Sequence, residues 1–209
     1  MTYADRLEAG RRLAEAAAGL IGPDVVVVGL PRGGVPVAGV VARALGAPLD
    51  VIVVCKLGAP GRPELAMGAV GEGGVRVVNE DVVRGAGVSP EAFTRAEGVA
   101  RAEVERRAAR FRAGRPSVPL AGRTVLVVDD GVATGATVRA ACQLVRGHGA
   151  AWVVLAVPVG PPAVIRGLRD VADEVICPHE PADFAAVGQF YADFGQTTDE
   201  EVRAWLRER

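Results

Sequence analysis

The chain reads as an α/β domain: a mainly parallel sheet with helices on its faces. Three observations carry that reading. Four short valine-rich runs are apolar nearly throughout rather than alternating, as strands covered on both faces are. Helical patterns lie between them, so the order is strand, helix, strand. The chain is 209 residues long and 50% hydrophobic with a net charge of −1, which fits one generous domain with a sizeable core.

Taken in order, Val25–Gly29 is the first strand and Val35–Leu45 the helix after it. Leu49–Val54 is the second run. Residues 66–79 read as a hairpin off the main sheet, two short strands around Gly71-Glu72-Gly73-Gly74. A long charged helix spans 89–113, with Ser89 as N-cap, Pro90 at the first helical position and Glu91 in the first turn. Its Arg101, Arg106, Arg107, Arg110 and Arg112, interleaved with Glu103 and Glu105, read as a solvated face. Thr124–Asp129 and Trp152–Val157 are the third and fourth runs, followed by helices at Thr137–Arg146 and Ala163–Arg169. Glu174–Cys177 is a weaker fifth strand. A tail rich in Pro, Phe and Tyr runs from Pro178 to Gln196, and a last helix begins near Thr198. The expectation is one domain over 1–209, with a hairpin-and-helix insertion at about 60–118 and a C-terminal hood at about 178–209.

Composition excludes several classes. Lysine and arginine total 24 against 25 acidic residues, so no global positive field exists and nucleic acid is not an expected partner. Met1 to Leu20 carries Asp5, Glu8, Arg11, Arg12 and Glu15 and lacks a signal-peptide core. Val25 to Val54 is broken by Pro31, Arg32, Pro36 and Arg43, so no membrane span is expected. Cys55, Cys142 and Cys177 are far apart with no C-x-x-C spacing, which argues against a structural zinc site. Cys55 and Cys142 lie in apolar surroundings and read as buried thiols in a reducing cytoplasm.

The strongest chemical signal is V-L-V-V-D-D-G-V-A-T-G-A-T at 125–137. A buried strand delivers Asp129 and Asp130 to its carboxyl end, where open α/β sheets bind ligands. A small-residue loop then opens a helix. Its backbone N–H groups, from Ala133 through Thr134, Gly135 and Ala136 to Thr137, with the two threonine hydroxyls, make an anion cradle. Acids beside an anion cradle make sense for a sugar phosphate. The cradle takes the phosphate; the acids accept from vicinal hydroxyls and steady positive charge on the ring. A receiver domain would need a downstream lysine, but the single lysine, Lys56, lies upstream; a P-loop would need G-x-x-x-x-G-K.

This segment resembles the phosphoribosyl pyrophosphate (PRPP) motif of type I phosphoribosyltransferases, and the likeness extends to the strand order from about Asp24 to Cys177. By that resemblance Asp129 and Asp130 hold the ribose hydroxyls, and Ala133, Thr134, Gly135, Ala136 and Thr137 hold the 5-phosphate. Gly29-Leu30-Pro31-Arg32-Gly33-Gly34 is similar to the family's pyrophosphate loop: Gly33 and Gly34 let the backbone approach an anion, and Arg32 adds a cationic fork. Lys56, after the second run, suits a pyrophosphate oxygen or leaving group. Phe184, Phe190 and Tyr191 either stack a flat base or pack the tail, and His179 reads as a turn residue.

The resemblance implies transfer from Mg-PRPP to a nitrogen nucleophile, a nucleobase by the family's habit. Magnesium arrives on the pyrophosphate, with no dedicated protein metal site. Asp129, Asp130 and Lys56 are the catalytic candidates. The alternative is a non-catalytic regulator that binds PRPP or a nucleotide on the same fold. Oligomeric state is left open.

Overall fold

The structure, a computed structural model, describes residues 2–20 and 24–207. Its main sheet holds five parallel strands, β1 (Val25–Gly29), β2 (Leu49–Val51), β6 (Thr124–Val128), β7 (Trp152–Ala156) and β8 (Glu174–Ile176), in the order β2-β1-β6-β7-β8. The order of strands reverses between β1 and β6, and such a switch point opens a crevice at the carboxyl ends of the two strands. Register aligns Gly29 with Val128, so the loop after β1 and the acids after β6 emerge side by side.

Alternation along each strand divides the core between two faces. Val26, Val28, Val125, Val127, Val153 and Leu155 pack against α5 (Ala136–Gly147) and α6 (Pro162–Leu168), through Ala141, Leu144, Ile165 and Leu168. Val25, Val27, Leu126, Val128 and Val154 face α1 (Arg6–Ala16) and α2 (Gly34–Leu45). Helix α1 was not expected from the sequence. Its buried residues are Ala9, Gly10, Leu13 and Ala14, and small residues give a faint apolar stripe. They are small for a reason: a Cβ on Gly10 would lie 2.8 Å from Val40 Cβ on α2.

The second apolar run does not form one strand. β2 stops at Val51; Ile52 N still donates to Gly29 O at 3.1 Å, Val53 is buried beyond the strand, and Cys55 opens a second sheet. That sheet is antiparallel, β3 (Cys55–Ala59), β4 (Arg62–Val70) and β5 (Arg76–Val78). Pro60 and Gly61 make its first turn, and Gly61 takes φ 71°. The hairpin expected at 66–79 is the β4–β5 pair. A short α3 (Glu80–Gly85) follows, capped by Asn79.

Helix α4 (Pro90–Arg112) starts as the sequence dictates, with the Ser89 hydroxyl accepting from Ala92 N at 3.2 Å. Ala100, Val104, Ala108 and Phe111 seal it onto Leu57 and Met67 and onto Val202 and Leu206 of α7 (Asp199–Arg207). Its arginines are not a uniform solvated face. Arg106 pairs with Glu103 in solvent, but Arg112 is 11% exposed and enclosed by Asp50 and Glu72. Cys55 is half-buried rather than buried, whereas Cys142 is buried as expected.

The N-terminal segment and the tail hold each other. Tyr3 N donates to Phe190 O at 2.8 Å, Ala192 N donates to Tyr3 O at 2.8 Å, and Tyr3, Val159, Phe190 and Tyr191 share a small core. Among the described residues no helix is long and apolar enough to cross a membrane.

Candidate functional site

Two chain segments meet at the crevice. After β1, Leu30 N donates to Val128 O at 2.9 Å, which ties the loop to β6 before it turns into α2. The peptide between Pro31 and Arg32 is cis. Gly33 and Gly34 then pass directly over the acids. A Cβ on Gly33 would lie 2.1 Å from Asp130 Oδ2, and one on Gly34 would lie 2.8 Å from the Asp129 Cα. Both positions therefore require glycine by sterics, at the place where the sequence marked an anion loop. Asp129, Asp130, Gly33 and Gly34 form one cluster.

Asp129 Oδ1 accepts from Asp130 N at 2.9 Å. Asp130 Oδ2 accepts from Arg6 Nε at 2.9 Å, and its backbone carbonyl accepts from the Tyr191 hydroxyl at 2.5 Å. Among the described residues no donor meets Asp129 Oδ2 or Asp130 Oδ1. Burial pushes the Asp129 carboxyl well above the usual range, and the Asp130 charge adds to it. Asp130 is also raised by burial, with Arg6 pulling the other way. Burial and the nearby Asp130 drive the Tyr191 phenol upward, so it stays a neutral donor.

Residues 133–137 open α5. Gly135 stands at its N-cap with φ 80°, a left-handed conformation that favours glycine. Ala133, Thr134, Ala136 and Thr137 are exposed, and among the described residues the N–H groups of Ala133, Thr134 and Gly135 meet no protein acceptor. That is an open amide cradle at a helix N-terminus. A side chain at Gly135 would press on Val164, 3.0 Å away, and Leu168 of α6, so its constraint comes from behind the cradle.

Among the described residues none of the other candidates is hydrogen-bonded to the side chain of either acid. Arg32 reaches across to Asp199 at the start of α7, 3.7 Å away, where Arg110 also binds at 2.5 Å. Lys56 is exposed on β3, opposite Ala69 in the small sheet, and lines a cleft with Ala96, Val99 and Glu103 of α4. Phe190 and Tyr191 are buried and pack the tail, with Phe184 stacked on Phe190 at 5.4 Å. His179 sits edge-on to Phe190 at 5.3 Å. Among the described residues no group of three or more acidic, histidine or cysteine side chains could hold a metal ion.

Two participants escaped the sequence reading. Arg6 lies 124 positions from Asp130 with no local motif to mark it. Phe194 is 37% exposed, with the Arg6 guanidinium 4.1 Å from its ring centroid. The only sequence signal for either was the aromatic density of the tail.

Comparison with known proteins follows the same lines. Residues 3–194 match the family described as phosphoribosyl transferase domain. The chain is 57% identical over 204 residues to two Mycobacterium tuberculosis proteins, each named "Putative phosphoribosyl transferase". That match covers 98% of this chain but 46% of theirs, so the chain spans about half the length of those relatives. A Thermus thermophilus protein of known crystal structure superposes with a TM-score of 0.90 at 48% identity, covering 100% of this chain and 99% of that one.

Proposed function

The chain belongs to the phosphoribosyl transferase domain family, and from that premise we propose that it transfers the 5-phosphoribosyl group of Mg-PRPP to a nitrogen nucleophile and releases pyrophosphate. One observation carries the reading most: two carboxylates with unmet oxygens lie under a glycine loop and beside an open amide cradle. In this reading the cradle at 133–137 holds the 5-phosphate and fixes the sugar. Asp129 and Asp130 accept from the ribose hydroxyls. As the bond from C1 to pyrophosphate lengthens, positive charge grows on the ring, and the two carboxylates stabilise it. Loop 31–34 receives the leaving pyrophosphate, with Arg32 turning from Asp199 to meet it. The magnesium belongs to the substrate. A nucleobase or another flat nitrogen compound is the acceptor class.

The position of Lys56 in a cleft against α4 favours a second reading, a non-catalytic binder of PRPP or nucleotide. A single assay separates them. Incubation with Mg-PRPP and a panel of purines, pyrimidines and amines should release pyrophosphate with at least one acceptor. Tight PRPP binding without release from any acceptor overturns the enzyme reading in favour of the binder.

A further inference from the structure

Arg6 is the one cation that touches the acid pair among the described residues, and it is held on three sides. Its Nε donates to Asp130 Oδ2 at 2.9 Å, its Nη1 donates to Gly195 O at 2.7 Å, and its guanidinium lies on the Phe194 ring. Phe194 in turn packs on Tyr191, 4.9 Å between centroids, and the Tyr191 hydroxyl bonds the Asp130 carbonyl. These contacts close a ring: α1 to Asp130, Asp130 to Tyr191, Tyr191 to Phe194, and Phe194 back to Arg6. Arg6 is 13% exposed, so its charge is little screened.

We propose that Arg6 is a positioning residue for the acid pair: it fixes the orientation and charge of Asp130 and makes both depend on the tail being docked over the first helix. The proposal rests on the transferase reading above for its effect on turnover. Physically, two adjacent carboxylates at a partly dry site resist joint ionisation, because burial and mutual repulsion both favour the neutral form. A guanidinium against the outer oxygen of one member offsets this. It leaves Asp130 Oδ1 and Asp129 Oδ2 without a donor among the described residues. The charged and titratable groups around Asp130 are Asp129 beside it, Arg6 from α1, and Tyr191 and Tyr3 from the tail core; Glu201 of α7 also feels Arg6. Both phenols are raised by burial, Tyr3 to about 12, and stay neutral across the working range.

The test compares wild type with Arg6→Gln, Arg6→Lys and Phe194→Leu. The acid limb of the kcat–pH profile should move up by about one unit in Arg6→Gln, since removing an opposite charge at this distance shifts a carboxyl by roughly 1–3 units. Above the limb kcat should fall about tenfold, while KM for PRPP changes little. Arg6→Lys should keep the limb near its wild-type position. Phe194→Leu should move it in the Arg6→Gln direction by less. In parallel, the Asp130 carboxyl carbon resonance is titrated by NMR in the unliganded proteins, and its midpoint should rise in Arg6→Gln. An active wild type with an unmoved limb in Arg6→Gln overturns the proposal, as does an unmoved NMR midpoint or a loss of Tm alone. Should wild type release no pyrophosphate, the transferase reading falls and the NMR titration still decides the role of Arg6. If Arg6→Gln does not fold, Phe194→Leu carries the same two readouts, and their failure to move overturns the proposal.

Discussion

Two arginine–carboxylate clusters flank the main sheet, and they are almost equally dry. Arg112 and Asp50 are 11% and 6% exposed; Arg6 and Asp130 are 13% and 15% exposed. Burial therefore does not distinguish them. In the first cluster every carboxylate oxygen is matched. Asp50 accepts from Arg112 Nε and from the N–H groups of Val51 and Val118, each at 2.8 Å. Glu72 accepts from both terminal nitrogens of Arg112 and from Val53 N. Burial tends to neutralise the Arg112 guanidinium, but Glu72 and Asp50 outweigh it and raise its pKa. The second cluster also sets two acids against one arginine, but among the described residues it leaves an oxygen of each acid unmet. Saturated, such a cluster is a clasp joining β2, the small sheet and the end of α4. Unsaturated, it has valence left for a ligand.

The largest effect that tests this contrast is on stability. Arg112→Met should lower unfolding free energy by about 3–5 kcal/mol, because Asp50 and Glu72 stay buried without their cation. Denaturant titration checks it, and turnover per folded molecule should persist. A loss under about 1 kcal/mol would mean the clasp contributes little.

At the crevice the effects should be reversed. Asp129→Asn keeps the shape and the bond from Asp130 N but removes one of two repelling charges. Turnover should fall about 10²- to 10³-fold, as for loss of one group aimed at developing charge. Stability at neutral pH should rise, because the change removes a charge that burial and the neighbouring Asp130 both disfavour. The sign follows from linkage. The folded Asp129 pKa is raised, so below the unfolded value near ~3.9 the protonated acid costs nothing, and stability is lost as pH climbs through the folded value. The gain from Asp129→Asn should thus vanish in melts below about pH 4. A gain that is constant with pH would locate the effect in packing instead.

The smallest expected change sits on neither cluster. Lys56→Ala should leave Tm unmoved, since the side chain is exposed. It should cut turnover about tenfold if the small sheet brings its ammonium to the leaving group during turnover. Wild-type turnover would make Lys56 a bystander.

Much of this arrangement follows from contiguous sequence. The parallel strands announce themselves because a strand covered on both faces is apolar at every position, as in Val25–Val28 and Val125–Val128. The acid pair and its cradle lie within thirteen residues of chain, and the long helix carries its own cap at Ser89. The glycines at 33 and 34 were legible as positions of close backbone approach. That they sit on the carboxylates follows from the β1–β6 register.

Tertiary structure decided the rest. Hydrophobicity reports burial but not pairing, so Leu49–Val54 reads as one strand although it leaves the sheet after Val51. Helix α1 hides because close packing on α2 demands Gly10 and alanines, which erase the apolar stripe. Arg112 looks like its solvated neighbours on α4, and only the approach of Asp50 and Glu72 from distant segments encloses it. Arg6 and Asp130 meet across 124 residues because the tail folds back on the N-terminal segment. Local sequence fixes what each short segment prefers. Which charges face each other depends on long-range packing, and that sets whether a buried carboxylate is a clasp or a site.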